Sequence, residues 1–388
     1  MEPHIVDAAP VRHPAPPSRA ALATRLAFLI SGFALSCWAP LVPYVKHSLN
    51  LDERLLGMLL LCMGVGSVLS MLVTGGLCSR LGSKLVIVAC AWGLALTVPL
   101  LALATTPLQI AAALLVFGAA LGSIDVAMNV HAVEVEKLAG KPLMSGFHAL
   151  FSIGGFAGAT VMTALLSARL SPLASTCICA AVMAVVALFL PSRLLASGPA
   201  ASGAFLARPR GIVLLLAPLA GITFLAEGAM LDWGALLITE KNLVPVSYGG
   251  LGYILFSIAM TAGRLSGDAI TARLGDRTVL QWGGALAVGG FVMLLTAPLA
   301  PLALAGFVLI GLGASNIVPV FFRQAAAQQD MPTSLAIAAM TTTGYAGVLL
   351  GPAAVGFVAK ASSLPAAFWM LAVALALIPL TAHKVSRS

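Results

Sequence analysis

The five residues RLGSK at positions 80–84 recur as RLGDR at positions 273–277, an offset of 193 residues in a chain of 388. Each copy stands between two long apolar segments, and each has basic residues on both sides of a central glycine. Self-similarity at an offset of half the chain indicates an internal duplication. The repeat therefore predicts a protein built from two halves of equal size.

The amino-acid composition indicates that both halves lie in a lipid membrane. Apolar residues make up 60% of the chain and charged residues 9%, and the mean hydropathy is +1.04. Soluble domains carry about 25% charged residues, so most of this chain is expected to contact lipid. The net charge of +8 comes from single basic residues between apolar runs, which argues against binding of nucleic acid.

Twelve apolar segments are long enough to cross a bilayer, since a crossing helix needs about 20 residues. The prediction is an all-α integral membrane protein with 12 transmembrane helices in two six-helix bundles. Its divisions are a disordered tail (1–21), a first bundle (22–191), a linker (192–210) and a second bundle (211–384). The spans are predicted at 22–45, 55–78, 85–104, 107–130, 144–167, 172–191, 211–238, 248–270, 278–297, 301–322, 334–358 and 364–383.

The basic residues predict the orientation. The N-terminal tail, alternate loops and the C-terminus hold fifteen of the 21 Lys and Arg residues, and the opposite loops hold five. Positive residues accumulate on the cytoplasmic side. We therefore expect a multi-pass protein of the bacterial inner membrane with both termini in the cytoplasm.

The segment around the first repeat, residues 75–84, resembles the loop signature G-x-x-x-D-R-x-G-R-[RK] of the major facilitator superfamily, with Ser79 in place of the usual Asp. Stretches at 122–130, 146–152, 226–233 and 342–352 are similar to the YbjJ-type, fucose-permease-like branch of bacterial inner-membrane transporters. The resemblance implies two pseudo-symmetric bundles, alternating access and a monomer. It also implies proton coupling through carboxylates in spans one and four; Asp125 matches the second by position, whereas span one has no Asp or Glu, so that half of the mechanism does not carry over.

Carboxylates inside predicted spans are expensive to insert, so they are candidates for function. Glu227, near the middle of span seven, is the first choice for proton coupling, because a desolvated carboxyl can load and release a proton near neutral pH. Asp125 is the second candidate, with a role at the cytoplasmic gate as the alternative. Asp232 is the third, and it is equally compatible with a wetted gate position near the outer end.

A second group of residues is predicted to act in gating. Arg264 and Asp268 stand four residues apart in span eight, so they can pair on one helix face; Arg264 alternatively suits an anionic solute. The repeat itself supplies the remaining gating candidates, Arg80, Lys84 and Arg273.

Neutral hydrogen-bonding and aromatic groups inside the spans are predicted to contact a substrate. His148 is either a proton relay or a structural histidine, and Trp233 either stacks on a ring or belongs to the interfacial belt. The full set of predicted substrate contacts is Trp38, Asn129, His148, Trp233, Asn316 and Tyr345.

These features favour a secondary transporter for a small polar solute, a sugar or related metabolite, driven by protons. The alternatives are proton-coupled efflux of amphipathic compounds or drugs and a non-transporting membrane sensor. No nucleotide-binding loop or catalytic motif is present, so neither a cofactor nor an enzymatic activity is expected. The six cysteines lack metal-ligand spacing, and the expected partners are the solute, protons and lipid.

Overall fold

The computed structural model describes residues 17–51, 53–196, 208–245 and 251–385, and within these ranges all regular secondary structure is helical. The first half has seven α-helices, with one 3₁₀ turn (Ala39–Leu41) between the first two. They are α1 (Pro17–Trp38), α2 (Val42–Ser48), α3 (Glu53–Leu81), α4 (Ser83–Leu103), α5 (Pro107–Ala139), α6 (Met144–Ser167) and α7 (Pro172–Phe189).

The second half repeats this pattern in its described residues. Its helices are α8 (Val213–Asp232), α9 (Gly234–Glu240), α10 (Leu251–Thr296), α11 (Ala300–Ala314), α12 (Ile317–Ala327), α13 (Thr333–Ala361) and α14 (Leu364–Val385). We call the end of the molecule where α1 begins, α14 ends and the two halves are joined the linker end.

The repeated motif forms the same turn in both halves. Gly82 has φ 81° and ψ 149°, and Gly275 has φ 77° and ψ 159°, a backbone conformation that favours glycine. Gly275 divides the 46 residues of α10, whose straight length of about 69 Å would far exceed the roughly 30 Å membrane core. The turn therefore separates predicted spans eight and nine, and the predicted twelve crossings are confirmed.

Helices of each half pack mainly on one another. In the first half α1 packs on α6, and α5 packs on α3 and α4; in the second, α8 packs on α13, and α10 packs on α11 and α14. The two bundles meet where α3 contacts α13 and where α6 contacts α10. Eleven of the described helical segments, with α10 as one of them, are long and apolar enough to cross a membrane. This is the predicted all-α fold of two six-helix bundles.

Several predicted boundaries differ from the structure. Helix α1 begins at Pro17, five residues before the predicted start, because the helical apolar pattern continues back into the assigned tail. Predicted spans one, seven and ten are each interrupted, at 39–41, at Trp233 and at 315–316. Pro40 lies in the first break, and Pro319 lies in the first turn of α12, where its missing N–H has no helical acceptor. Residues 1–16 of the predicted tail and 197–207 of the predicted linker lie outside the described residues.

Candidate functional site

A buried ion pair joins two helices of the second bundle and reaches into the first. The Arg264 Nη2 atom on α10 lies 3.7 Å from Glu227 Oε2 on α8, and the Arg264 Nη1 atom donates a hydrogen bond of 3.0 Å to Ser152 Oγ on α6. The Arg264 and Glu227 side chains are 10% and 20% exposed. Among the described residues, Arg264 Nε and Glu227 Oε1 are buried without a hydrogen-bond partner. The centre therefore retains a free donor and a free acceptor.

A second carboxylate lies inside a membrane-spanning helix of the first bundle. Asp125 on α5 is partly buried, and the Asn129 amide one turn later donates to its backbone oxygen (2.9 Å) and to Oδ1 (3.4 Å). On α13, the Tyr345 ring centroid is 6.4 Å from that of Phe224 on α8. Asp125 and Asn129 thus share one helix face, as their spacing predicts.

These groups lie at a common depth. Counted from the linker end of each helix at 1.5 Å per residue, Arg264 and Tyr345 are about 15 and 18 Å deep, and Asp125 and Glu227 are each about 21 Å deep. A membrane core is about 30 Å thick. The charged centre therefore lies near mid-membrane, between the two bundles.

Three aromatic rings in contact, one pair edge-to-face and one pair stacked, lie on the side of the centre nearer the linker end. His148 on α6 lies between Phe28 on α1 and Phe322 on α12, with centroid distances of 5.2 and 5.6 Å. Phe147 stacks on Phe28 at 5.8 Å. Because Phe322 belongs to the second bundle, this aromatic floor crosses the bundle interface. Its His148 Nε2 atom is buried without a partner among the described residues.

Two carboxylates satisfy the N-terminus of α6 at the linker end. Asp268 on α10 accepts hydrogen bonds from the backbone N–H groups of Ser145 (2.9 Å) and Gly146 (2.8 Å). Glu136 on α5 accepts those of Leu143 (2.6 Å) and Met144 (2.8 Å). The first four N–H groups of a helix have no partner within it, and its positive end favours anions. Asp268 is thus a charged latch between the bundles.

A basic side chain adds a second link at this end. Arg323 on α12 lies 3.0 Å from Asp276 and 3.5 Å from Glu136, so it joins the second copy of the repeat to α5. Gln324 Nε2 donates to Asp276 Oδ2 at 2.6 Å, and Lys137 Nζ donates to the Ala326 oxygen at 2.8 Å. These contacts close the linker end.

The predicted gating residues take different positions. Arg264 and Asp268 do not pair with each other; each contacts α6, Arg264 from mid-depth and Asp268 one turn nearer the linker end. Arg80 and Arg273 are exposed and Lys84 is partly buried, all at the linker end. Ser79, next to Arg80, hydrogen-bonds Ser334 at the start of α13, so this position keeps a contact between bundles without a charge.

Trp38, Trp233 and Asp232 lie nearer the opposite end of the bundles, whereas Asn316 lies beside Arg264. Trp38 and Trp233 stand at the breaks of spans one and seven, about 30 Å from the linker end, and both indole N–H groups are buried without a partner among the described residues. Asp232 is exposed beside Trp233. Asn316 occupies the N-cap position of α12 without a capping hydrogen bond from its side chain, and its amide donates to the Gly263 oxygen at 3.0 Å.

Sequence reasoning missed Ser152, Glu136 and Arg323. A serine inside a span carries no charge signal, and Glu136 and Arg323 stand at helix ends, where charged residues normally report topology. Only contacts between the bundles reveal their roles. In the described part of the chain, no group of three or more His, Cys, Asp or Glu side chains is arranged to hold a metal ion.

Two pseudo-symmetric six-helix bundles with a buried charged centre between them define a membrane transporter of the two-bundle type. The sequence profile of the Major Facilitator Superfamily matches residues 25–334, and the chain belongs to this superfamily.

The curated relatives support this assignment over almost the whole chain. An uncharacterised MFS-type transporter of Yersinia pestis is 46% identical over 94% of this chain and 96% of its own length. An uncharacterised transporter of Sinorhizobium fredii is 33% identical over 92% and 95%. Among solved structures, the fucose:proton symporter of E. coli superposes with a TM-score of 0.81 at 17% identity, covering 95% of this chain and 98% of that one. The human organic anion transporter MFSD10 superposes with a TM-score of 0.77 at 18% identity, covering 95% and 99%.

Proposed function

We propose that this protein is a secondary active transporter that moves a small polar solute, a sugar or related metabolite, across the bacterial inner membrane by alternating access coupled to protons. The observations that carry the proposal are the Arg264–Glu227 ion pair between the bundles and the partly buried Asp125 carboxylate at a similar depth. Charges at this depth cost several kcal/mol to insert and normally line a substrate or ion pathway.

Asp125 is the proton site in this proposal. The sequence favours Glu227, but Glu227 has Arg264 as a counter-ion, which stabilises its charged form. The hydrogen bond to the Asp125 side chain comes from the neutral Asn129 amide. An uncompensated carboxylate in a medium of low dielectric constant gains most from binding a proton. Glu227 and Arg264 then offer their free acceptor and donor to the solute.

Alternating access is supported by the way in which one helix pair carries both site and gate. Helix α10 bears Arg264 and, one turn later, Asp268; helix α6 bears Ser152 and, two turns earlier, Ser145. A solute that draws Arg264 away from Ser152 therefore loosens the contact that the Asp268 latch holds closed. Both halves of the site come from one chain, which supports a monomer as the working unit.

The cytoplasmic location of the linker end follows from the fifteen basic residues on that side of the membrane.

The fold neighbours suggest which solutes to test first. One is a fucose:proton symporter and another an organic anion transporter, so sugars come first and organic acids second. The aromatic floor and the Phe224–Tyr345 pair also favour the second candidate function, efflux of amphipathic compounds.

The test begins with thermal stabilisation of the purified protein by sugars, organic acids and amphipathic cations. The best ligand is then assayed in proteoliposomes with an imposed pH gradient, and both solute flux and proton flux are measured. Asp125→Asn should abolish the response to the pH gradient while solute exchange continues. Glu227→Gln should weaken solute binding about tenfold or more, since it leaves Arg264 buried without its counter-ion.

Full proton coupling in Asp125→Asn would move the proton site to Glu227 or Asp232. Solute flux that ignores the pH gradient in the wild type would contradict proton coupling altogether. Stabilisation by amphipathic cations alone would favour the efflux function over sugar transport.

A further inference from the structure

Arg264 is shared between partners on the two bundles. Its Nη1 atom donates a hydrogen bond of 3.0 Å to Ser152 Oγ on α6 of the first bundle, and its Nη2 atom lies 3.7 Å from Glu227 Oε2 on α8 of the second. A hydrogen-bonded pair of guanidinium and carboxylate has N···O distances of about 2.7–2.9 Å. The ion pair is therefore not closed, whereas the bond to Ser152 is fully formed.

The free atoms of the ion pair are those that a bidentate contact would use. A side-on bidentate pair joins the Nε atom and one Nη atom of an arginine to both oxygens of a carboxylate. In the described part of the chain, Arg264 Nε and Glu227 Oε1 are buried and have no hydrogen-bond partner. Nη2 and Oε2 would have to approach by about 1 Å to complete the pair.

The Ser152 hydroxyl is held as an acceptor by its own helix. Its Oγ–H group donates to the backbone oxygen of His148, one turn earlier on α6, at 3.3 Å. The lone pairs of Oγ are then left for a donor, which Arg264 Nη1 supplies. Ser152 carries no charge, so it orients the guanidinium without neutralising it. The position of this acceptor is fixed by α6, and therefore by the first bundle.

Opening of the linker end would affect the two partners of Arg264 differently. Helices α8 and α10 belong to the second bundle and pack on each other, so Glu227 and Arg264 stay together when the bundles separate. Ser152 moves away with α6. A buried arginine that loses one polar partner in a medium of low dielectric constant gains from a closer approach to the remaining carboxylate. The bidentate pair then forms.

We infer that Ser152 is a positioning residue that keeps the Arg264–Glu227 pair apart while the linker end is closed, and that the pair closes when Ser152 withdraws. The inference rests on the proposed function, since it assigns two affinities to the proposed solute site. While the linker end is closed, Arg264 Nε and Glu227 Oε1 are free for the solute. When it is open they bind each other, so the solute loses both contacts and leaves on that side.

The experiment measures closure of the linker end without a solute. Disulfide formation between Ser79→Cys and Ser334→Cys reports closure, because residues 79 and 334 hydrogen-bond across this end. The purified full-length protein is used, with its native cysteines replaced by alanine. Ser152→Ala should slow the reaction about fivefold or more, since a hydrogen bond that exists only in the closed state is lost. Ser152→Thr keeps the hydroxyl and should react at the wild-type rate.

A second substitution tests the competition between the two partners of Arg264. Adding Glu227→Gln to Ser152→Ala should raise the rate again by about twofold or more, because it removes the charged partner that stabilises the open state. Purely structural damage at residue 152 would not be relieved by a further substitution. Ser266→Ala is the matched control and should leave the rate unchanged, since the exposed Ser266 hydroxyl donates to the Ala262 oxygen of its own helix at 3.0 Å.

Three results would overturn the role of Ser152. They are an unchanged rate in Ser152→Ala, an equal loss in Ser266→Ala, and no recovery on adding Glu227→Gln. Because neither a solute nor a pH gradient is present, these results do not depend on transport. Absence of solute flux in proteoliposomes would contradict the proposed function alone, and closure of the ion pair would still be decided by the cross-linking rates.

Discussion

Two of the contacts between the bundles, α3 with α13 and α6 with α10, are related by the internal repeat but differ in chemistry. Where α3 meets α13, Ser79 and Ser334 join through two neutral hydroxyl groups. Where α6 meets α10, the Asp268 carboxylate accepts two backbone N–H groups of a helix N-terminus, at 2.9 and 2.8 Å. Hydrogen bonds to a charged group are about twice as strong as neutral ones. The α6–α10 contact is therefore the stronger latch.

The two contacts also differ in their position relative to the charged centre. The α3–α13 contact stands apart from the charged centre, whereas α6 and α10 carry both the latch and the Arg264–Ser152 hydrogen bond of 3.0 Å. The superfamily signature usually has Asp at the position of Ser79. In this chain, charge at the gate is carried instead by Asp268 of the second half and by the Glu136–Arg323–Asp276 group.

Closure of the linker end can be measured by disulfide cross-linking of the pair Ser79→Cys and Ser334→Cys, in a background where the native cysteines are replaced by alanine. The two positions touch in the closed state. The rate of cross-linking then reports the population in which the bundles are closed, and the first three predictions use it.

The largest effect is expected from Gly267→Val on α10. A β-carbon at Gly267 would overlap the Asn316 side chain and lie 2.8 Å from Ser145 Cβ, so the bundles cannot approach as they do here. Overpacking costs about 1–3 kcal/mol, and we expect cross-linking to slow about tenfold or more. Gly289→Val is the control, because nothing lies within 4 Å of a β-carbon there. Equal rates in both variants would contradict the assigned close approach.

Next in size is Asp268→Ala, which removes the latch and leaves the Ser145 and Gly146 N–H groups without their acceptors. Each lost bond to a charged group is worth about 1.5–3 kcal/mol, partly regained through water. Cross-linking should slow about tenfold in Asp268→Ala. The rate in Asp268→Asn should lie between those of Asp268→Ala and the wild type. Asp232→Ala, an exposed carboxylate near the opposite end, should leave the rate unchanged. A normal rate in Asp268→Ala would assign closure to the other contacts.

A smaller effect is expected from Arg323→Gln, which breaks the contacts with Asp276 and Glu136. The Arg323 side chain is 18% exposed, so water screens part of the loss and about 1 kcal/mol is a fair expectation. Cross-linking should slow about fivefold. Arg277→Gln, an exposed neighbour of Asp276, is the matched control, and the prediction fails if it slows the reaction as much.

The smallest effect is expected from adding a charge to the neutral α3–α13 contact. Ser79→Asp places a carboxylate at the N-terminus of α13, as Asp268 does at that of α6, and such a charge stabilises by about 0.3–1 kcal/mol. The melting temperature should rise by about 1–2 °C and the gain should fall in 0.5 M salt. Ser79→Asn should show neither. A loss of stability would mean that α13 does not accept a charge at this position.

Much of the fold was predictable because lipid restricts the alternatives. Backbone groups inside a bilayer must be satisfied within a helix, so apolar length alone predicts the crossings, and the repeated glycines 82 and 275 predict the two halves. The breaks at Trp233 and at residues 315–316 were not predictable from hydropathy, because one or two polar residues, Asp232 at the first break and Ser315 and Asn316 at the second, do not interrupt an apolar segment of about 20 residues.

The charged residues of the candidate site were predictable from the sequence, but which of them form ion pairs was not. Charge inside a span singles out Asp125, Glu227, Arg264 and Asp268. Spacing then suggests that Arg264 pairs with Asp268, four residues away. The structure pairs Arg264 with Glu227 on another helix instead, because Asp268 is held by the start of α6 and its side chain is satisfied there.

The sequence by itself determined that this protein crosses the membrane twelve times, consists of two related halves, and buries a few charges at mid-depth. Those properties follow from the free energy of transfer into lipid, which depends on residue type and on position along one helix. Which charges neutralise one another, which helix end receives a carboxylate, and which carboxylate is left without a counter-ion were decided only by tertiary structure, because each depends on distances between helices far apart in the chain.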